Sequence, residues 1–556
     1  MVAGLSSGLW SVLTLFGLFS SQDQAIHEQS TSSAGSRLVS HFPPDDTKNL
    51  SSSFPTADVV GYPGNTSQGA EAFLINDAPA FALPRMHYTN PLVSPKPTDS
   101  GVDTDFKPIR HWANLSPWRS LKSLGGLHKT SPHVPTGCAL ERVHLLHRHG
   151  SRQPTSDAPP AQFAEKIASA AKSVQGFKAT GDLAFLHDWQ YKLGSESLSR
   201  HGAQMMFNLG VEFRLQYGSL LNNYSHWNTL PVLRTESQNR MHESTLNFAA
   251  GFFGLPLRPD VDYHESIMIE NKGFNASLSP YYGCPNSMNG TNSKLGNEAS
   301  ADFVKRYATP LAAEFNEMLE GLQLNATDVN AMQFMCAYDT IVLGWSPFCS
   351  LFTAQDWRNF EYAIDLSLYY NSAFGGPYSA ALGKGYLEEF WSRLSGHRIT
   401  QSASSINTTL TGNPDTFPIE KQSIFIDATH EVVLAEVLTA LNMTALAGNL
   451  PIDHVDKHRK WQSSKLLSMG THLVFQELAC SAESNAGKED RYVRAILNDA
   501  VLPWGIVGCE EQQDGLCARD TLIKGLEARI QEIDFSVCFR DTPEIKPGDV
   551  TNGRFL

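Results

Sequence analysis

The run Arg148-His149-Gly150-Ser151-Arg152-Gln153-Pro154-Thr155 sets two guanidinium groups around one imidazole. A guanidinium fork matches phosphate oxygens, and a neutral imidazole nitrogen is a nucleophile, so this spacing suits chemistry on a phosphate. Two other stretches carry ionisable residues in a similar setting. Thr229-Leu230-Pro231-Val232-Leu233 runs into Arg234, and Ser423-Ile424-Phe425-Ile426 runs through Asp427, Ala428 and Thr429 into His430-Glu431. Arg148, Arg152, Arg234 and His430 would bracket the non-bridging oxygens of a phosphoryl group. His149 would attack phosphorus, and Glu431 would protonate the departing alkoxide. The surrounding positive charge should lower the pKa of His149 and keep its ring nucleophilic in mildly acidic surroundings.

These residues need elements to aim them. Val143, Leu145 and Leu146 read as the end of a buried strand, with Gly150 and Pro154 turning the chain just beyond it. In open α/β sheets, ligands bind at such strand ends. Helical spacing is expected over Ala161–Val174, Gly202–Tyr217, Asn239–Phe253, Asp302–Leu322, Asp356–Tyr370 and Val432–Leu441. Asn271–Asn297 reads as a Gly/Asn/Ser-rich loop anchored by Cys284. Gly375–Gly385 reads as a plain connection into a helix Tyr386–Leu394, because Glu388 stands where a dinucleotide fingerprint would need its third glycine. The pattern implies an α/β core with an α-helical cap, inserted at roughly residues 156–228.

Other chemistries fail on particular residues. His430-Glu431 begins the zinc-protease pattern H-E-x-x-H, but position 434 is Leu. Gly4-Leu5-Ser6-Ser7-Gly8 matches the hydrolase elbow without a strand before it. There is no C-x-x-C pair and no phosphate-binding P-loop, so no metal or other cofactor is expected. His144, His147 and His201 are read as ordinary, non-catalytic histidines.

The 556-residue chain carries a net charge of -14, which argues against nucleic acid or an anionic membrane as partner. The expected partner is a small phosphomonoester, drawn by a local positive field. Leu9–Phe19 is an uncharged apolar run, so residues 1–25 read as a signal peptide, although without a basic start. Residues 26–105, rich in Ser, Thr and Pro, read as a disordered leader, with order expected from Phe106. Sequons stand at Asn49, Asn65, Asn114, Asn223, Asn275, Asn289, Asn325, Asn407 and Asn442, and there are eight cysteines. Together these features imply a secreted glycoprotein, free of the membrane once the signal is cleaved.

Over roughly Phe106–Phe539 the chain resembles the histidine acid phosphatase family, in particular its fungal phytase-like branch. The signature Arg148-His149-Gly150-Ser151-Arg152-Gln153-Pro154-Thr155 carries the resemblance. It is supported by Trp112-Ala113-Asn114-Leu115-Ser116-Pro117-Trp118, Val134–Cys138, Ser346–Thr353 and the blocks from Tyr369-Tyr370 to Gly385-Tyr386. The resemblance implies a phosphoglycerate-mutase-like α/β core with an inserted helical domain, together forming a phosphatase domain over residues 106–556. It assigns His149 as nucleophile, and Arg148, Arg152, Arg234 and His430 as phosphate binders. The family's usual Asp proton donor is Glu431 here. It also implies the disulfides Cys138–Cys480, Cys284–Cys538, Cys336–Cys349 and Cys509–Cys517. Phytases of this branch often carry lysines after the position of Thr155, where this chain has Ser156-Asp157-Ala158-Pro159. A broad acid phosphomonoesterase is therefore expected, with phytate left open as a substrate. The alternative is a phosphate or inositol-phosphate binding protein weakened by Glu431.

Overall fold

The computed structural model describes residues 105–127, 130–481, 489–509 and 513–555, with Lys96 and Thr98 ahead of them. The expected signal peptide and nearly all of the expected leader lie outside the described residues.

The sheet begins with β1 (Cys138–Arg148), whose last six residues are buried. Its side chains alternate between two cores. Leu145 packs into an apolar cluster on one face and Leu146 into the cluster on the other. A strand covered on both faces loses the polar alternation of a half-exposed one. β2 (Val232–Glu236), β3 (His264–Met268) and β4 (Ile424–Thr429) run parallel to it, followed by β5 (His472–Ser481) and β6 (Glu489–Leu497). The order through the sheet is β6-β5-β1-β4-β2-β3, extended by short strands at the β6 edge. β1 pairs in parallel with β4 and antiparallel with β5, so its C-terminal end opens beside the ends of β4 and β2.

Helices cover both faces. Between β1 and β2 lie α1 (Pro159–Lys172) and α2 (Arg200–Tyr217), and α3 (Asn239–Phe253) follows β2. Next come α4 (Leu295–Asn316), α5 (Ala326–Leu343), α6 (Ala354–Ser372) and α7 (Ser379–Ser395). α8 (Glu431–Ala440) starts at the end of β4, and α9 (Arg519–Glu532) lies near the C-terminus. The helical layer does not coincide with the expected insertion at 156–228. α2 packs on the sheet, through Leu209 and Phe213 beside Val143 and Leu145. A separate apolar cluster joins Phe163 and Ile167 of α1 to Ala308, Met332 and Trp357 of α4, α5 and α6. α5 is buried around most of its circumference, so its sequence carries no apolar stripe.

Gly375–Gly385 also differs from expectation, because α7 absorbs Gly383 and Gly385. The cause is packing: a Cβ at Gly383 would lie 2.3 Å from the Glu436 carbonyl oxygen of α8. Asn271–Asn297 is only partly a loop, since it holds a 3-10 turn at Pro280–Gly283 and a short helix at Pro285–Asn289. The four disulfides are Cys138–Cys480, Cys284–Cys538, Cys336–Cys349 and Cys509–Cys517, the set that the resemblance implied.

Candidate active site

β1 delivers Arg148 as its last residue and His149 immediately after it. Gly150 fixes the turn, because a Cβ there would meet the Gly202 carbonyl oxygen at 2.4 Å; the first turn of α2 is pressed against the loop. The His149 Nδ1 lies 2.8 Å from the Gly150 carbonyl oxygen. A carbonyl only accepts, so in the neutral ring Nδ1 carries the hydrogen and Nε2 keeps the lone pair. Nε2 is buried without a hydrogen-bond partner among the described residues, 3.8 Å from Glu431 Oε2. Burial, then Arg148, Arg240, Arg152 and His430, hold the His149 pKa well below its ordinary value. The ring is neutral and its lone pair is free.

Cations gather around that nitrogen. Arg148 donates through Nη1 to the carbonyls of Asn114 and Leu467, and its Nε lies 2.9 Å from Glu431 Oε2. Arg152 donates to the Gln153 carbonyl at 2.8 Å and is hydrogen-bonded to Tyr338. Arg240, in the first turn of α3, is paired with Glu196 at 2.8 Å. Arg148 Nη2, Arg152 Nε and Arg240 Nε remain buried and without a hydrogen-bond partner among the described residues. Buried donors without partners are rare in folded proteins.

Arg234 is placed elsewhere. Register sets it opposite Asp427, which itself pairs with Leu146, so it sits about 10 Å below His149 at the usual rise per strand residue. Its Nε and Nη2 each lie 2.6 Å from a buried carboxylate, Asp427 and Glu389 respectively, and Arg393 grips Asp427 from the other side. The residues that reach the site from this strand and its helix are Glu236 and Arg240. The signal for Arg240 is its position at the start of a helix that follows a strand, where side chains converge on the sheet's ligand-binding edge.

β4 ends at Thr429, and α8 begins at Glu431 with His430 as its N-cap residue. The His430 ring centroid is 5.6 Å from that of His149. Its Nε2 lies 2.5 Å from Glu236 Oε1 and 3.1 Å from Glu270 Oε2, and burial is outweighed by these carboxylates, which raise its pKa to about 9. Glu431 Oε1 accepts a hydrogen bond from Asn114 Nδ2 at 3.0 Å. Burial would raise the Glu431 pKa, but Arg148, Arg152 and His430 bring it down to about 2. Asn114 therefore belongs to the site wall, although it also heads a sequon; Ala113 before it has a φ of 52° that turns the chain inward. His144 and His147 are buried in the core, stacked on Phe425 and Phe248.

Glu236, Glu270 and His430 have the donor types of a cation site, each with a ligand atom within 4.8 Å of the others. The short contacts from His430 Nε2 to both carboxylates account for that closeness without an ion. Asn114 and Tyr338 line a cavity of about 230 Å³ shared with Ser300, Asn330, Phe334 and Ser367. A larger cavity of about 480 Å³ lies at the opposite strand ends, around Leu230 and Lys421, away from this chemistry.

The family model of the histidine phosphatase superfamily (branch 2) matches residues 139–498. Phytase A of Neurospora crassa is 27% identical over 508 residues, covering 81% of this chain and 96% of that protein. Phytase A of Aspergillus fumigatus is 28% identical over 442 residues, covering 77% and 90%. Among solved structures, the phytase from D. castellii aligns with a TM-score of 0.63 at 22% identity, over 80% of this chain and 90% of that one. The Bifidobacterium longum multiple inositol polyphosphate phosphatase in complex with phosphate aligns at 0.53 and 15% identity, over 75% and 98%. The family match runs through every strand that builds the site, from β1 to β6. The protein thus belongs to branch 2 of the histidine phosphatase superfamily, on its fungal phytase-like side, and is a phosphomonoester hydrolase.

Proposed function

We propose that the protein is a secreted acid phosphomonoesterase working through a phosphohistidine on His149. One observation carries this reading: buried, unpaired guanidinium nitrogens of Arg148, Arg152 and Arg240 accompany the free lone pair of His149 Nε2. A phosphoryl group there would receive the missing hydrogen bonds from donors that need no reorganisation. Near pH 5 a phosphomonoester carries one proton, since its second pKa is about 6. On binding, its charge takes over Arg148, and the proton passes to Glu431. His149 Nε2 then attacks phosphorus, the P–O bond to the alcohol breaks, and the alkoxide takes the Glu431 proton. Water next attacks the phosphorus of the phosphohistidine and gives its proton back to Glu431. The N–P bond breaks, releasing inorganic phosphate.

The cavity beside Asn114 and Tyr338 bears on the alcohol. Aliphatic, aromatic, hydroxyl and amide groups line it, and its lining residues include no Lys or Arg. Such walls suit an uncharged alcohol better than a polyanion, and Ser156-Asp157 adds no positive charge to the rim. Simple monoesters are therefore the preferred class, with phytate, the substrate named for the relatives, a further one. Export is supported by the disulfides, the sequons and the apolar leader. No described helix is long and apolar enough to cross a membrane.

The test is turnover of p-nitrophenyl phosphate near pH 5, with acid quenching and peptide mapping of the phosphorylated residue. Phosphate should be trapped on His149, and His149→Ala should lose at least about a thousandfold in kcat. Full activity in that variant would refute the mechanism. Saturable phosphate binding by the wild type without turnover would favour the weakened binding protein instead.

A further inference from the structure

Two carboxylates stand where a phosphate-binding site should tolerate none. Glu236 ends β2 with its side chain fully buried, and the Glu270 side chain, just beyond β3, is 3% exposed. Neither touches Arg148 or Arg152. Both face one nitrogen of His430, at 2.5 and 3.1 Å, and the two carboxyls are hydrogen-bonded to each other. Further donors fix them. Tyr281 Oη and Gln238 Nε2 each donate to Glu270 Oε1 at 2.5 Å, and the Gln238 backbone N–H donates to Glu236 Oε2 at 3.0 Å.

We propose that Glu236 and Glu270 form one positioning unit for His430, holding its ring by Nε2 and supplying a single negative charge against its imidazolium. The ring's other nitrogen, Nδ1, is then left for the phosphate. A ring nitrogen of His430 lies within 4.8 Å of one of His149 and of a Glu431 oxygen, which places the ring at the site of reaction. This inference rests on reading the site as a phosphate-binding one.

One charge suffices because the pair shares a proton. Burial and its neighbour raise Glu236 to about 7, whereas donors around Glu270 hold it near 2. Below neutrality the unit is therefore one carboxylate, one carboxylic acid and one imidazolium, with no net charge. The other titratable groups that face His430 are His149 beyond β1, and Glu431 and Glu436 of α8; Tyr281 faces Glu270, and Arg240 of α3 adds its charge to the same cluster. The three arginines of the site oppose protonation of His430. Without the unit, a buried imidazole among them would be neutral.

The sharing predicts non-additivity. In Glu236→Gln or Glu270→Gln, the remaining carboxyl ionises and supplies the charge. In the double variant nothing does, and His430 loses its proton. Sulfate is the probe, because its charge is constant from pH 4 to pH 8. At pH 6 each single variant should raise the inhibition constant of sulfate by less than about threefold, and the double variant by at least about tenfold. From pH 6 to pH 4 the double variant should close toward wild type, because acid together with the bound dianion returns the proton to the ring. Its alkaline limb should fall at lower pH than in wild type. A loss independent of pH, equal losses in all three variants, or no loss in the double variant would overturn the proposal. If wild type itself ignores sulfate, the reading of the site fails rather than the unit. A second measurement does not depend on the double variant folding. In wild type labelled with 15N-histidine, both nitrogens of His430 should stay protonated up to about pH 8, and a neutral ring at pH 7 would overturn the proposal as well.

Discussion

Glu431 is a longer side chain than the aspartate usual at its position, and the structure accounts for where the extra methylene goes. Its carboxylate reaches both Arg148 Nε, at 2.9 Å, and Asn114 Nδ2, at 3.0 Å. In the free site it is ionised, with a pKa near 2, so in the proposed mechanism its working proton comes with the substrate. Dependence on the leaving group follows. In Glu431→Gln, hydrolysis of an alkyl phosphate should fall by about 10²–10⁴ in kcat, the usual range for a lost general acid. With p-nitrophenyl phosphate, whose alcohol leaves without help, formation of the phosphoenzyme should persist and its hydrolysis should slow. Rapid-quench kinetics should then show a burst of p-nitrophenol absent from wild type. Equal loss on both esters would remove Glu431 from the proton path. His149 and Glu431 were legible because their types and their places at strand ends speak directly of chemistry. Asn114 was in plain view within Trp112–Trp118, but only the fold brings that segment across to Glu431.

At the scale of elements, what matters is how far along a strand a side chain sits. Arg234 and Arg240 both belong to the β2–α3 unit, and their sequence setting favours Arg234, directly after an apolar run. Register reverses that choice. β2 continues to Glu236, so Arg234 lies inside the sheet against Asp427 and Glu389, and the helix brings Arg240 to His149. Exact strand ends are hard to read from a run buried on both faces, because nothing in the pattern marks where burial stops. The pair Glu236/Glu270 was invisible for the same reason, since their contact depends on the pairing of β2 with β3. Substitution separates the two arginines. Arg234→Met leaves Glu389 buried without its cation and should cost about 3–5 kcal/mol of stability, read as a lower melting temperature. Arg240→Met should leave melting nearly unchanged and weaken inhibition by inorganic phosphate by about tenfold. The opposite assignment of the two effects would place Arg234 at the phosphate.

For the whole molecule, the buried titratable groups set how stability varies with pH. His144 and His147 are fully buried, and burial brings each down to about 4. The unfolded chain protonates such rings near 6.5. Between these values the unfolded state binds the extra protons, so stability falls as pH falls, by about 1.4 kcal/mol per pH unit for each ring. His430 acts oppositely: its pKa is raised to about 9, so its contribution is full below 6.5 and is lost as pH rises through 9. Glu270 and Glu431, lowered to about 2, contribute above the unfolded carboxylate range and fail only as pH falls through 2. The urea midpoint should therefore peak near pH 6–7 and decline on both sides. In His147→Gln the acid-side decline should be shallower. The overall plan, a central sheet with helices delivering ionisable residues at its strand ends, was legible from apolar runs followed by Gly, Pro or a helix. The make-up of the helical layer was not, because α4, α5 and α6 join α1 through contacts distant in sequence.

Asn114 also has a consequence for how the chain is made. If the chain is exported as proposed, its sequon, Asn114-Leu115-Ser116, is open to the glycosylation machinery only while the chain is unfolded. Once folded, Asn114 binds Glu431 and Ser116 is 2% exposed, its hydroxyl accepting the Trp112 amide hydrogen. Folding and sugar transfer would thus compete for the same two side chains. A molecule glycosylated at Asn114 would carry a bulky oligosaccharide where Glu431 sits, so under the proposed mechanism an active exported preparation should show Asn114 bare, whatever the other sequons carry.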